Sequence, residues 1–145
     1  MSFNDLSHIN ITDGGSWSIK YNMLWQKMNG LTGPFANWDA IIATELKFYE
    51  TKSNKFGIPM DPRHTYVKSD WLSWIAAMAP TDAQFHSIFD PIYDELSATP
   101  DRNPFTDLYD TVTAAQSSGG FIARPVIGGM FAKALLCNKT GGGER

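Results

Sequence analysis

The sequence predicts an all-α fold of about five helices packed as antiparallel hairpins. Two observations carry this. Apolar residues step by three and four through every long segment, which lines one face of a helix rather than alternating along a strand. The short connection Thr32–Pro34 joins the first two of these segments, and short connections favour antiparallel neighbours.

The first helix begins after Ser16 as N-cap, places Trp17, Tyr21, Leu24, Met28 and Leu31 on one face, and stops at Gly30. The second follows Asn37, turns Trp38, Ile42, Leu46 and Tyr49 inward, and ends at Ser53-Asn54. Gly57, Pro59 and Pro62 prevent a regular helix over Lys55–Lys68, so this stretch reads as a long ordered loop or a short extended pair. Ser69 then caps a third helix, with Trp71, Trp74, Ile75 and Met78 inward and Pro80 closing it. Thr81 and Gln84 have the spacing of a capping box for a fourth helix. Its stripe is Phe85, Ile88, Phe89, Ile92 and Leu96, and Pro91 kinks it or delays its start. Ala98–Gly120, rich in Pro, Asp, Thr and Ser, reads as loop. Pro125 suits the first turn of a final helix with Ile127, Met130, Phe131 and Ala134 on one face. Gly128-Gly129 lets a neighbouring backbone approach closely.

Composition narrows the function classes. The chain has 145 residues, 43% hydrophobic and 19% charged, which suits one globular domain. The expected division is a single helical domain over 16–137, flanked by flexible segments at 1–15 and 138–145. Twelve Lys and Arg against fifteen Asp and Glu give −3, with no block of like charge. Nucleic acid is therefore not an expected partner. No apolar run reaches the roughly 18 residues of a membrane span. The first ten residues have neither a basic nor an apolar signal-peptide region, so no signal peptide is expected, and the residues alone leave a cytoplasmic chain only as the default. Cys137 is the only cysteine, so no intrachain disulfide is expected. Asn10-Ile11-Thr12 and Asn138-Lys139-Thr140 are glycosylation sequons. His8, His64 and His86 lack metal-ligand spacing, and no phosphate-binding or dinucleotide motif is present, so neither metal nor cofactor is expected.

Polar chemistry concentrates in Asp61–Trp71. Asp61, Arg63, His64, Tyr66, Lys68 and Asp70 stand just before or at a helix N-terminus, where free backbone N–H groups favour carboxylates and anions. Such a segment can supply an acid/base pair and a cation for a ligand carboxylate. It can equally be a salt-bridged loop. A second set, Arg102, Asp107, Tyr109 and Asp110, lies after the fourth helix. With two antiparallel helices between them, the two loops should share one end of the bundle and form a mixed-charge mouth. Such a mouth fits a zwitterion. The Trp stripe reads as core rather than as a ligand platform.

Several blocks taken in order resemble the C-terminal part of the helical domain of the glutaminase A family. They are Gly15–Asn22, Lys55–Trp71 and Gly120–Gly129, with Arg102-Asn103-Pro104 and Asp107–Thr111 as a further block in which Leu108 replaces the family's usual Trp. The resemblance runs from about Gly15 to Leu136. It implies an α/α toroid of the six-hairpin glycosidase kind, of which this chain would hold an incomplete part. It implies hydrolysis of glutamine to glutamate and ammonia, keeps a glycosidase-like hydrolase in view, and suggests a secreted protein.

Two function classes follow. One is a stand-alone binding or interaction module, favoured by the chain's shortness. The other is an amidohydrolase, with Asp61, His64 and Asp70 as acid/base candidates and Arg63, Lys68, Tyr66, Arg102, Asp107 and Asp110 holding the substrate. The expected ligand is an amino acid or a carbohydrate. An incomplete toroid should expose apolar faces, so a homo-oligomer is expected.

Overall fold

The computed structural model describes residues 15–32, 36–101, 104–116 and 121–140, the last two as backbone only. The first fourteen residues, the last five, Arg102 and most of the Thr32–Pro34 connection lie outside the described residues. So does the Asn10 sequon.

The fold is mostly helical. A 3-10 turn, Tyr21–Met23, runs into α1 (Leu24–Met28), followed by α2 (Trp38–Glu50), β1 (Tyr66–Lys68), α3 (Ser69–Ala77) and α4 (Asp82–Ala98). After β2 (Leu108–Asp110), a 3-10 helix, Pro125–Phe131, continues into α5 (Ala132–Thr140). α3 is the hub: α4, α5, the Pro125–Phe131 helix and the Tyr21–Met28 segment all pack on it. Its sequence permits this, because Leu72, Ile75 and Met78 bury bulk while Ser73, Ala76 and Ala77 let neighbours approach from other sides.

α2 follows the sequence reading closely, with Trp38, Ile42, Leu46 and Tyr49 buried on one face. The Trp38 indole donates to the Met23 carbonyl at 3.0 Å, and the Tyr49 hydroxyl accepts from the Lys20 N–H at 2.9 Å. These bonds dock α2 on the segment before α1.

They also explain a correction. The expected first helix from Ser16 is only a 3-10 turn and five α-helical residues. Ile19 N–H donates to the Met60 carbonyl at 2.9 Å, and Lys20 N–H goes to Tyr49, so tertiary bonds take the amides an earlier helical turn would need. Ser16 therefore caps nothing. Leu31, assigned to the inner face, is exposed.

Three further expectations shift. Ser69 is the first residue of α3 rather than its N-cap, and its buried hydroxyl has no partner. In α4, Thr81 does cap, accepting from the Gln84 N–H at 3.2 Å, and the helix continues through Pro91. Its stripe then advances by three, so Glu95 is buried where Leu96 was expected, and Leu96 is exposed. In the last segment, the 3-10 start rotates the wheel: Ala132 and Leu136 are buried, whereas Phe131 and Leu135 face outward.

Part of the stretch read as loop is a strand. β2 pairs antiparallel with β1, setting Tyr66 opposite Asp110, Val67 opposite Tyr109 and Lys68 opposite Leu108. Gly57 fits under this sheet at φ +122°, where an added Cβ would meet Leu72 Cδ2 at 2.7 Å. The Tyr109 hydroxyl donates to the Phe56 carbonyl at 2.9 Å and fixes the sheet to the Gly57 turn.

Candidate functional site

The β1–β2 pair brings the two polar loops together. Lys68 ends β1, and Asp107 immediately precedes β2. The Lys68 ammonium reaches the fully buried Asp107 carboxylate at 3.1 Å, and the Ser69 N–H donates to the Asp107 carbonyl at 3.0 Å. A second cation joins them. Arg124 donates from Nε and Nη2 to the two Asp107 oxygens at 3.0 and 2.7 Å, a bidentate grip that a lysine could not make. Lys68 and Arg124 both lie over the Phe121 ring, at 5.1 and 4.7 Å from its centroid. Two cations on one carboxylate leave the cluster positive, and the aromatic face offsets part of that charge.

Asp70 stands beside this cluster in the first turn of α3. It is 2% exposed, and its Oδ1 has no hydrogen-bond partner. Burial pushes its carboxyl upward, Lys68 opposes that, Asp107 reinforces it, and the balance lies above the ordinary carboxylate value. The Pro125–Phe131 helix presses directly on it. A Cβ added at Gly129 would lie 2.9 Å from Asp70 Cβ and 2.6 Å from the Trp74 indole nitrogen. The close approach expected at Gly128-Gly129 is thus made by Gly129, while Gly128 meets open space. Along the same side of α3, Trp71 stacks on Tyr21 at 3.8 Å, and Trp74 meets Trp25 edge-on at 5.0 Å.

The other candidates lie in different settings. Asp61 and Arg63 pair with each other through Nε at 2.9 Å and Nη2 at 2.6 Å, and Asp61 also accepts the Arg63 N–H. Burial alone would raise the Asp61 carboxyl, but the Arg63 hydrogen bonds and charge outweigh it and hold it below the ordinary value. His64 is exposed, its ring 5.9 Å from that of the half-buried Tyr66. Asp110 closes its own turn, accepting from the Val112 and Thr113 N–H groups and from the Thr65 hydroxyl. Those bonds outweigh partial burial and lower its carboxyl. Arg102 lies outside the described residues. His86, read as a surface residue, is exposed and meets Asp90 at 2.9 Å.

Two residues escaped the sequence reading as site candidates. Arg124 is 17 positions from Asp107, and it was marked by its place before a helix-starting proline and within the Gly120–Gly129 block, with no site role. Glu95 is fully buried in α4, and neither carboxyl oxygen has a hydrogen-bond partner. Burial, with the Asp101 charge adding to it, pushes Glu95 up to about 7. Among the described residues, no group of three or more His, Cys, Asp and Glu side chains is placed to hold a metal ion. None of the described helices is long and apolar enough to cross a membrane.

Known proteins give this geometry a context. A glutaminase A from Aspergillus oryzae is 45% identical over 92 residues, covering 61% of this chain and 13% of that protein. A protein named probable glutaminase from Arthroderma benhamiae is 37% identical over 96 residues, covering 63% of this chain and 11% of its own. This chain therefore matches only about an eighth of the length of either relative. No solved structure matches. The model of the glutaminase A six helical-hairpin domain matches residues 2–134, nearly the whole chain. The mostly helical fold, the order of the polar blocks and this match together place the chain in the glutaminase A family.

Proposed function

We propose that the chain is a ligand-binding module of the glutaminase A type, and that the wall around Asp107 takes a small zwitterionic amino acid of the glutamine class. The observation that carries this is Asp70: a buried carboxyl oxygen left without a partner, beside a cluster with two cations and one carboxylate. A buried polar atom without a partner is destabilising by about 1–3 kcal/mol, and a ligand ammonium or amide N–H relieves that penalty on binding. Arg124 keeps 36% of its side chain exposed and is the cation placed to meet a ligand carboxylate first. Lys68, beneath it, holds Asp107 in position.

Amide hydrolysis is the second reading. The relatives named glutaminase are far longer than this chain, and the support here is the buried Asp70 carboxyl, which burial shifts upward from its ordinary value, the direction a general acid requires. The exposed Phe131 and Leu135 support a further interaction role, with a second copy of the chain as the simplest partner.

Calorimetric titration with L-glutamine, with ammonia followed in the same samples, tests the proposal. Saturable binding that is lost in Asp70→Asn and Arg124→Gln at an unchanged melting temperature supports it. Absence of binding at millimolar L-glutamine refutes it. Ammonia release above background in the parent chain replaces it with the hydrolase reading.

A further inference from the structure

We propose that the outer apolar strip of α4 is the docking surface for the Phe131–Leu135 face of a second copy, in a twofold dimer to which each chain contributes both surfaces. The proposal rests on the second-copy interaction read above and names the surface that Phe131 and Leu135 meet. α4 carries more apolar side chain than its core contact uses. Ile88 and Ile92 are buried where the helix packs on α3. Phe85, Phe89, Tyr93 and Leu96 follow by fours and a three along the neighbouring strip of the same helix. Phe85 and Phe89 are half-buried and stack at 4.9 Å, but further along Tyr93 is 69% exposed and Leu96 37%.

Charge selects the occupant. α4 contains no Lys or Arg, and its Asp82, Asp90 and Asp94 are exposed. The stretch from Arg124 to Thr140 is the reverse: it carries Arg124, Lys133 and Lys139 and no Asp or Glu. Arg124 is engaged with Asp107, which leaves Lys133, between Phe131 and Leu135, as the cation of that face. Pairing the Phe131–Leu135 face with itself would set one Lys133 against another, and pairing α4 with itself would set Asp90 against Asp90. Only the crossed pairing joins apolar to apolar with opposite charges beside it.

Placement allows both surfaces to serve one interface. α4 and α5 both pack on α3, and the Lys133 ammonium lies over the Phe85 ring of its own chain, 5.5 Å from the centroid. The start of α5 therefore adjoins the start of α4, and Tyr93 lies about 12 Å further along α4 at 1.5 Å per residue. A twofold axis between the two helices sets Phe131 and Leu135 of each copy on Tyr93 and Leu96 of the other, and Lys133 beside the partner's Asp90. The contact already made by Lys133 with Phe85 shows that this ammonium tolerates an aromatic face.

Sedimentation of the full chain and its variants across micromolar concentrations tests the pairing. Tyr93→Ser with Leu96→Ser should weaken dimerisation by about tenfold or more at an unchanged melting temperature. Asp90→Lys alone and Lys133→Glu alone should each weaken it as well. An equimolar mixture of those two single variants should restore the dimer, because the mixed pair carries opposite charges at both contacts. The charge exchange also covers the case in which the Tyr93 and Leu96 variant does not fold. A mixture no tighter than either variant alone overturns this docking, as does a folded Tyr93 and Leu96 variant as dimeric as the parent. Either result leaves self-association through Phe131 and Leu135 standing with a different counterpart. A parent chain that is monomeric throughout overturns both.

Discussion

Lys68 and Asp107 meet at 3.1 Å across 39 residues of sequence, the first closing β1 and the second standing immediately before β2. Both are buried, and Arg124 completes the pairing from the Pro125–Phe131 side. The contact is therefore a structural joint as well as the centre of the proposed site. Asp107→Ala should destabilise the fold by about 3–5 kcal/mol, because it strands a buried ammonium. Denaturant unfolding measures this. A loss below about 1 kcal/mol would mean that the pair is solvated and the joint is not a joint.

Gly129 and Gly128 make an internal comparison. An added methyl at Gly129 overlaps Trp74 and Asp70, whereas one at Gly128 meets nothing within 4 Å. Gly129→Ala should cost about 1–3 kcal/mol by overpacking, and Gly128→Ala should stay near zero or stabilise the helix slightly. Equal melting temperatures for the two variants would contradict the packing of this helix on α3.

The sequence made most of the helices legible, for physical reasons that vary by element. α2 shows its buried face because nothing outside the helix competes for its amides, and its four inward residues recur at helical spacing. The segment around Trp17 has the same spacing yet stays largely non-helical, because Met60 and Tyr49 claim its amides from afar. Periodicity carries no record of such bonds. β2 is three residues long, and its partner lies some forty residues earlier, so no local pattern announces it. The site was partly legible in the same way. Lys68, Asp70 and Asp107 come together as the shared bundle end required, but Arg124 joins from a helix start that the two-loop argument did not include. Glu95 was passed over because an apolar Leu96 stood next to it in the sequence.

Asp61 should govern part of the acid response. Its carboxyl is held below the ordinary value, so the stability it contributes is present above the unfolded carboxylate range. That stability is lost as pH falls through the folded value. Asp61→Asn should lower stability by about 1–2 kcal/mol at pH 7, and the penalty should shrink as the pH falls through the folded value. A penalty that stays constant across the whole acid range would assign the effect to packing instead of to the Arg63 pair.

Self-association should depend on the outer face where the Pro125–Phe131 helix runs into α5. Phe131 is 67% exposed and Leu135 50%, four residues apart on the same side. Sedimentation of the parent chain across micromolar concentrations should show a dimer or larger species. The double change Phe131→Ser with Leu135→Ser should yield a monomer with little change in stability. A parent chain that is monomeric throughout removes this interaction role.

The central claim is that Asp70 and its cationic neighbours receive a glutamine-like ligand, and the titration midpoint of the Asp70 carboxyl tests it most directly. Followed by carbon-detected magnetic resonance with and without saturating L-glutamine, the midpoint should start above the ordinary aspartate value. It should fall when the ligand ammonium stabilises the charged form, and Arg124→Gln should abolish that response. An Asp70 midpoint unmoved by millimolar L-glutamine would contradict the account.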